Sequence, residues 1–393
     1  MHVTRRVRWV APIALLACVA AATPALADFG PTETVRTTSP GNDLDVTDYA
    51  WDGGTIALTW DEAQPGGRRV YLGWSIDRGA SWQRSRVDDR ASRDSQAAAC
   101  DGWVWAINRL HPTGSPSGRW LVALTGRSTS SSELNQSVLT ISGEAREPDL
   151  ACVGDRRLAA AWFQKSGDTW RVKVHSRGIV PQQKGDEVQE QSFDLGTGDL
   201  SGGLAIAATK YMVYVAWFQG DTLKVRRYTV GAGPDYLLSN LETVSVATLA
   251  SAGSVELGAQ GSRVVLAYSQ HSDVKVRTST TLGSAFGSAR TIRNNSDKGF
   301  VSARPTTVGV KGDRLVVGVV EYVGDVGLSG SGFGYLSTNG GTSWTRKPSH
   351  SRGLVVAGLV KVGTGYRYAE AWDQSIYDEG ESPSVERLRF RRE

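Results

Sequence analysis

Three arginines fall in loops that the sequence pattern places on one face of the molecule. They are Arg146, Arg304 and Arg352. A guanidinium group is planar and permanently charged, so it can hold a carboxylate through two parallel hydrogen bonds. Together the three side chains could clamp an acidic ligand such as an acidic sugar. Charges that are simply solvated in loops explain the same positions, and no spacing rule decides between the two interpretations.

Amides occupy a second set of matched positions. Gln164, Gln219 and Gln270 each follow an apolar segment in three consecutive units of the chain. An amide can donate to one sugar hydroxyl and accept from another, so these residues and Arg109 are candidate ligand-binding residues. The alternative is that the amides satisfy backbone groups of neighbouring strands.

The elements that position these side chains are short strands that repeat along the chain. An apolar segment ending in a large residue recurs at intervals of about 52 residues. Its seven copies are residues 56–60, 103–107, 158–162, 213–217, 264–268, 315–319 and 368–372. Most copies follow a turn rich in Gly or Asp, which is typical of hairpins, and each is followed by an alternating segment.

Seven evenly spaced units without helical periodicity predict an all-β fold, a seven-bladed β-propeller. Six blades is the lesser alternative, and two stacked β-sandwiches would leave the regular spacing unexplained. The seventh unit ends after its third strand. We therefore expect residues 32–38 to supply the missing outer strand and to close a single propeller domain of residues 28–393.

Two cysteines, Cys100 and Cys152, remain after the predicted signal peptide. Each lies four residues after the predicted start of an inner strand, at Gln96 and Pro148, in adjacent units. Equivalent positions on neighbouring inner strands can approach within bridging distance, which favours a disulfide. Two buried thiols remain the alternative.

Residues 1–27 combine a basic start, a short apolar stretch and a small-residue cleavage site at 25–27, as secretory signal peptides do. We therefore expect a secreted protein whose mature chain begins near Asp28. A minor alternative is lipid anchoring at Cys18, which ends a segment that resembles a lipoprotein cleavage box. No later stretch reaches the roughly 18 apolar residues that a membrane crossing needs.

Composition argues against several other classes of protein. The net charge of +4 falls to about +1 without the signal peptide, so a nucleic-acid partner is not expected. The histidines lack metal-ligand spacing, and there is no phosphate loop. We expect no metal, no cofactor and a monomer.

Two octapeptides share one pattern, residues 75–82 and residues 337–344, each at the turn that leaves a third strand. The shared positions are Ser75, Asp77, Gly79 and Trp82 in the first octapeptide, and Ser337, Asn339, Gly341 and Trp344 in the second. An Asp or Asn accepts backbone hydrogen bonds in such a turn, Gly permits positive φ, and Trp packs between sheets.

This pattern resembles the Asp-box, or BNR repeat, of the sialidase-like superfamily of β-propellers, and the repeat extends the resemblance over essentially the whole mature chain. In that superfamily the boxes lie away from the active site, so the resemblance implies structural roles for Asp77 and Asn339. True sialidases have six blades and an Arg-Ile-Pro-type motif near their start. This sequence lacks that motif, and seven units fit it better than six.

Sialidases also use a Tyr nucleophile paired with a Glu, an Asp acid and three arginines. The resemblance implies Tyr322 or Tyr377 as the nucleophile, Glu321 as its base, and Asp94 or Asp373 as the acid. The three arginines would then be Arg146, Arg304 and Arg352.

Two functional hypotheses follow. In the first, the protein binds extracellular glycans or a protein partner through its loop-rich face. In the second, it is a glycan-active enzyme, either an exo-sialidase-like glycoside hydrolase or a polysaccharide lyase. An enzyme should gather two or three arginines, a tyrosine and a carboxylate in one pocket, whereas a binding protein should spread aromatics and amides over repeated shallow sites.

Overall fold

The computed structural model describes residues 31–39, 42–100, 102–111, 120–131, 134–139, 143–154, 157–178, 190–231, 237–249, 253–294, 301–323, 328–348, 350–351, 355–376 and 385–393. The predicted signal peptide, with the cleavage box at Cys18, lies outside these residues. Within them the chain is built from β-strands, with one short 3-10 helix at Leu200–Gly202. None of the helical structure described is long and apolar enough to cross a membrane.

The strands form seven antiparallel sheets, the blades of a β-propeller. The first strand, β1 (Glu33–Thr37), precedes blade 1, which contains β2 (Leu44–Asp52), β3 (Thr55–Gln64), β4 (Gly67–Ser75) and β5 (Gln83–Arg86). Blade 2 contains β6 (Ser92–Cys100), β7 (Trp103–Leu110), β8 (Leu121–Ser128) and β9 (Leu134–Val138). Blade 3 contains β10 (Ala145–Val153), β11 (Arg157–Ser166), β12 (Thr169–Gly178) and β13 (Glu190–Thr197).

Blade 4 contains β14 (Leu204–Ala208), β15 (Met212–Gln219), β16 (Thr222–Val230) and β17 (Leu238–Thr248). Blade 5 contains β18 (Val255–Gln260), β19 (Arg263–Gln270), β20 (Asp273–Ser279) and β21 (Arg290–Arg293). Blade 6 contains β22 (Val301–Lys311), β23 (Arg314–Val323), β24 (Leu328–Ser337), β25 (Thr345–Arg346) and β26 (His350–Ser351). Blade 7 contains β27 (Val355–Val362), β28 (Gly365–Ile376) and β29 (Val385–Arg392).

The ring is closed by the N-terminal strand. β1 pairs with β29 and completes blade 7 as its outer strand. The first strand of each blade neighbours the first strand of the next, and β27 of blade 7 lies against β2 of blade 1. The predicted all-β, seven-bladed propeller with N-terminal closure is therefore confirmed.

Apolar side chains are buried between blades rather than in one central core. In the described residues, each of seven hydrophobic clusters joins two neighbouring blades. The second strands are apolar on both faces because both faces are covered, and in β15 every residue except Gln219 is buried. Trp60, Trp105 and Trp217 are among the largest fully buried side chains, and all three lie on second strands.

The two octapeptide turns have the same internal hydrogen bonds. The Ser75 hydroxyl oxygen accepts from the Gly79 amide at 2.7 Å, and Asp77 Oδ1 accepts from the Ser81 amide at 2.8 Å. In the second turn, Ser337 and Asn339 accept from Gly341 and Ser343 at 2.9 Å each. Each turn is thus held by its Ser and by its Asp or Asn.

Gly79 also permits close packing of blade 1 on blade 7. Its φ of +90° lies in the left-handed region, and a Cβ added there would lie 2.1 Å from Phe390 Cε1. Trp82 meets Phe390 edge to face, with ring centroids 5.2 Å apart. A side chain at position 79 would therefore be strained in its backbone and would displace Phe390.

Blade 5 contains a third turn of this kind, which the sequence pattern missed. The Ser279 hydroxyl oxygen accepts from the Gly283 amide at 3.0 Å and from the Thr281 amide at 3.2 Å. Thr281 stands where the other turns have Asp or Asn, and Phe286 stands where they have Trp and packs on the cluster between blades 4 and 5. These two replacements hide the turn from a motif search.

The inner strands begin earlier than predicted. β6 begins at Ser92 and β10 at Ala145, rather than at Gln96 and Pro148. A bulge near the start of each strand interrupts the alternation of inward and outward side chains. The sequence pattern therefore placed the start of each strand after its bulge. Near the ends of these strands, Cys100 and Cys152 are joined by a disulfide with Cα atoms 6.1 Å apart.

The disulfide should contribute to stability through the loop that it closes. The two cysteines are separated by 52 residues, and cross-links over loops of this size typically stabilise by about 2–4 kcal/mol. We expect the Cys100→Ala/Cys152→Ala double variant to lose about that free energy of unfolding in guanidinium titrations. Reducing agent should destabilise the wild type to a similar extent and leave the variant unchanged; equal unfolding midpoints without reductant would contradict the assignment.

Candidate functional site

Two bulges present carboxylates at one end of the channel that the first strands enclose. Asp94 in β6 and Glu147 in β10 have φ values of +52° and +49°, in the left-handed region. Such a conformation costs a non-glycine residue about 1–2 kcal/mol and is found preferentially at functional sites. The bulges interrupt the pairing of β6 with β7 and of β10 with β11.

A buried carboxylate of blade 1 supports the first bulge. Asp61 Oδ2 accepts from the Asp94 amide at 3.0 Å, and Asp61 Oδ1 accepts from the Ser95 hydroxyl at 3.1 Å. Ser95 also shares a hydrogen bond of 2.8 Å with Thr47. Burial raises the pKa of Asp61 to about 7, although the amide of Asp94 opposes the shift. The bulge is therefore fixed by hydrogen bonds between two blades.

Asp94, Glu147 and Arg304 line one cavity of about 220 Å³ at the mouth of the channel. Burial and the charge of Asp94 raise the pKa of Glu147 to about 7, while Arg109, Arg146 and Arg304 act in the opposite direction. Glu147 is thus the carboxyl group on which the charges of three blades converge.

Arg109 holds the Asp94 carboxylate in place. The two side chains form an ion pair in which Arg109 is 7% exposed and Asp94 is 40% exposed. Burial lowers the pKa of Arg109, Asp94 raises it, and the nearby Arg93 and Arg146 lower it further. Arg109 Nη1 also donates to the Ala145 carbonyl at 3.5 Å, which ties blade 2 to blade 3.

Arg304 and Tyr322 form the part of the mouth that blade 6 contributes. The Arg304 guanidinium lies 5.3 Å from the centre of the Tyr322 ring, and its side chain is exposed. Burial raises the pKa of Tyr322, Arg304 lowers it, and Asp45 and Asp373 raise it. These carboxylates of blades 1 and 7 therefore lie near enough to act on the tyrosine.

The structure does not place Glu321 beside Tyr322. The Glu321 carboxylate binds Arg293, and consecutive residues of a strand point to opposite faces of the sheet. The charges that act most on Tyr322 come from Arg304, Asp45 and Asp373 instead. Arg352 and Tyr377 lie outside the described residues.

The remaining arginine predicted for the clamp, Arg146, is partly engaged. Its guanidinium binds the Glu144 carboxylate at 2.7 Å and lies 5.3 Å from the centre of the Trp170 ring. Its side chain is nevertheless 43% exposed. Arg146 therefore contributes to the field at Glu147 and retains access to solvent.

Two of the matched amides are engaged within the scaffold. Gln164 is buried and accepts from the Trp162 indole N–H at 3.0 Å. Gln219 donates to the Thr197 hydroxyl at 3.0 Å and accepts from Lys224. Gln270 ends β19, opposite Asp273 of β20. These contacts join Gln164 and Gln219 to side chains of the scaffold, whereas the alternative named backbone groups of neighbouring strands.

The candidate residues lie at the ends of strands, not in loops as the sequence pattern indicated. Asp94, Arg146 and Arg304 belong to first strands, Arg109 and Tyr322 belong to second strands, and Asp373 belongs to β28. The sequence pattern also gave no role to Glu147 or Asp61. The signal that could have found Glu147 is the pair of an arginine and an acid repeated in Arg93–Asp94 and Arg146–Glu147.

Below the mouth, carboxyl groups line a second cavity of about 220 Å³ in the channel. Asp48 Oδ2 accepts from the Ala97 amide at 2.8 Å, and Asp149 Oδ2 accepts from the Ile206 amide at 2.6 Å, so each ties its blade to the next. Glu256 lines both cavities, and its pKa is raised well above the ordinary value by burial and by neighbouring carboxyl groups. The described residues contain no group of three or more side chains suited to hold a metal ion.

Comparison with known proteins identifies solved structures with a similar fold. No family model and no curated protein matches the chain. Among solved structures it is similar to the phage phi92 endosialidase, with a TM-score of 0.51, 9% sequence identity, and coverage of 92% of this chain and 68% of that chain. The chain thus shares a β-propeller fold with this endosialidase. At this identity the likeness shows the fold alone.

Two further structures have lower scores. A Trypanosoma rangeli sialidase in complex with sialic acid has a TM-score of 0.43 and 8% identity, with 90% of this chain and 59% of that chain covered. The Aleuria aurantia lectin in complex with alpha-methyl-L-fucoside has a TM-score of 0.46 and 9% identity, with 82% of this chain and 97% of that chain covered.

The raised pKa of Asp61 predicts how stability depends on pH. Between its unfolded pKa near 4 and its folded pKa of about 7, the folded state retains a proton that the unfolded state releases. The contribution of Asp61 is therefore fully present below pH 4 and is lost as the pH rises through about 7. We expect the wild type to lose stability relative to Asp61→Asn across this range, as measured by guanidinium unfolding at several pH values.

Asp77→Asn provides the matched control. Although partial burial raises the pKa of Asp77, hydrogen bonds from Ser81 and Ser75 lower it to about 2, and Asn339 occupies the equivalent position in the other turn. Its free-energy difference from the wild type should stay constant above about pH 4. The same constancy for Asp61→Asn would contradict the raised pKa of Asp61.

Proposed function

We propose that this protein binds a glycan bearing carboxylate groups at the mouth of the propeller channel. The observation that carries the proposal is that the charges of Arg109, Arg146 and Arg304 all act on Glu147, which lines one cavity together with Asp94 and Arg304. Arginines from three blades favour an anionic ligand, and the carboxyl groups between them can accept hydrogen bonds from sugar hydroxyls.

Arg304 is the residue best suited to hold the ligand carboxylate. Its side chain is exposed, and no carboxylate of the described residues forms an ion pair with it. Stacking on Tyr322 leaves the edge of the guanidinium, which carries the N–H donors, open to a ligand. Arg109 instead holds Asp94, and Arg146 is shared with Glu144.

The setting proposed for this binding is extracellular. The predicted signal peptide and the Cys100–Cys152 disulfide fit an exported protein, since disulfides persist in oxidising compartments. The ligand is then a glycan outside the cell, with a protein partner as the alternative, and the protein acts as a monomer. The fold is compatible with carbohydrate binding and with glycoside hydrolysis, so the choice depends on the site.

The first test is the loss of binding when the Arg304 charge is removed. We expect Arg304→Gln to weaken binding to an acidic glycan by about tenfold or more, since a hydrogen bond to a charged group contributes about 1.5–3 kcal/mol. Acidic and neutral glycans on an array would identify the ligand, and calorimetry would give the affinities. Arg84→Gln is the matched control, because Arg84 is exposed on outer strand β5.

Retained affinity in Arg304→Gln, or equal binding of acidic and neutral glycans, would contradict this assignment. High salt should weaken the interaction, because the charges at the mouth are partly exposed to solvent.

A second candidate function, glycoside hydrolysis, is favoured by one observation. The pKa of Glu147 is raised to about 7, which suits a group that donates a proton near neutral pH. In this scheme Glu147 protonates the glycosidic oxygen as the bond to the anomeric carbon breaks. The Asp94 carboxylate takes a proton from a water molecule, whose oxygen bonds to the anomeric carbon. Two carboxyl groups thus replace the Tyr322 and Glu321 pair that the resemblance implied.

Hydrolysis by this route depends on protonated Glu147. Activity on a fluorogenic acidic glycoside should fall as the pH rises through about 7, because the donor loses its proton. Glu147→Gln should reduce the rate at least about a hundredfold and abolish this pH dependence. No hydrolysis by the wild type at high enzyme concentration would rule out the enzymatic candidate and leave the binding proposal intact.

A further inference from the structure

Three arginine–aromatic pairs lie beside the mouth of the channel, in blades 2, 3 and 6, and Arg109 also lies 5.2 Å from the ring of the first pair, Trp120. The Arg93 guanidinium lies 4.3 Å from the centre of the Trp120 ring in blade 2, and Arg146 lies 5.3 Å from Trp170 in blade 3. The third pair is Arg304 and Tyr322 in blade 6, also at 5.3 Å. Arg93 and Trp120 had no place among the residues expected from the sequence.

The pairs of blades 2 and 3 are built in the same way. Arg93 and Arg146 each come directly before the left-handed residue of a bulge. Trp120 comes directly before β8, and Trp170 lies near the start of β12. The carbonyl of each tryptophan accepts a hydrogen bond from a backbone amide of the segment that leads to the next blade, at 2.9 Å for Trp120 and 3.0 Å for Trp170. Both tryptophans are half-buried. A backbone hydrogen bond therefore holds the main chain at each tryptophan, and each ring lies beside a guanidinium group.

These two pairs lie beside the mouth cavity rather than within it. Neither pair lines the cavity that contains Glu147 and Arg304. Arg93 and Arg146 nevertheless lie close enough to Arg109 to lower its pKa, after the larger effect of burial. The positive groups therefore extend from the cavity across blades 2 and 3.

Repulsion between these arginines needs an explanation. Arg109 is paired with Asp94 and Arg146 with Glu144, whereas Arg93 forms no ion pair within the described residues and its Nε is buried without a hydrogen-bond partner there. Like charges held together destabilise one another. An anionic ligand would relieve the repulsion and would supply acceptors for the free edges of the guanidinium groups.

We infer that the arginine–aromatic pairs of blades 2 and 3 are two further subsites, so that the ligand is a linear glycan with carboxylates on successive residues. This inference rests on the function proposed above and extends it from one acidic sugar to a chain of them. The cavity with Arg304 holds one residue of the chain, and Arg146 and Arg93 hold the residues that follow. Trp170 and Trp120 orient the guanidinium groups and shield one face of each from water.

Affinity as a function of chain length tests the inference. The probes are α2,8-linked sialic acid oligomers and α1,4-linked galacturonic acid oligomers, each from one to six residues long, with affinities measured by calorimetry. For the series that binds, we expect affinity to rise at least about tenfold from monomer to hexamer in the wild type. The two series separate the shared carboxylate chemistry from the sugar that carries it.

Variants at the outer pair identify where the added affinity arises. Arg93→Gln and Trp120→Leu should each reduce the ratio of hexamer to monomer affinity several-fold, whereas Arg304→Gln should weaken all lengths together. Trp120→Phe keeps an aromatic ring and should retain most of the ratio of hexamer to monomer affinity. Comparison of Trp120→Phe with Trp120→Leu thus separates loss of the arginine–aromatic pair from loss of folding. Arg84→Gln again serves as the control with the charge removed elsewhere.

The outcomes distinguish the two proposals. Equal affinity for monomer and hexamer in the wild type, or an equal loss at every length in Arg93→Gln, would overturn the extended site and leave acidic glycan binding standing. If neither series bound at any length at about millimolar concentration, the proposed function would fail as well.

Discussion

Burial of apolar side chains between neighbouring blades is the interaction on which the rest of the structure depends. Each blade is a small twisted sheet whose two faces are both apolar, and each face can leave water only against another blade. The hydrophobic clusters of the described residues accordingly join blades in pairs, and the cluster between blades 7 and 1 includes Val35 of the N-terminal strand. A terminal blade would expose an apolar face, so the ring must close. Pairing of β1 with β29 achieves this with the chain's own N-terminal segment.

This packing leaves the strand ends and the channel as the places for polar groups. Around the channel, carboxyl and hydroxyl groups connect the first strands of neighbouring blades. Asp48 and Asp149 accept amides of the following blade, and Thr307 both donates to and accepts from Ala357. At the mouth the same strands form bulges that turn Asp94 and Glu147 into the left-handed region. The strain in the backbone of Asp94 and Glu147 is offset by the packing of their blades against the neighbouring blade on each side.

The sequence predicted the scaffold far better than the site, for a physical reason. Burial between blades imposes a regular apolar pattern, so the number of blades, the strands and the closing segment could all be inferred from spacing. The site depends on bulges, which break that pattern, and on contacts between distant strands. Glu321 and Tyr322 looked like a pair because they are adjacent in sequence, yet the strand directs Glu321 to Arg293. The turn at Ser279 escaped notice because Thr281 supplies its hydroxyl in place of a carboxylate, an exchange that the backbone tolerates.

The charges at the mouth also determine how a ligand and a proton would compete. Glu147 lies among three arginines, yet burial and Asp94 raise its pKa to about 7. Near neutral pH, the Glu147 carboxyl group is therefore close to the pH at which it changes charge. A bound carboxylate would repel the ionised form of Glu147 and would raise its pKa further, so ligand binding and protonation of Glu147 favour each other. This coupling holds whether Glu147 only binds or also donates its proton, because in both cases an anionic sugar lies beside it.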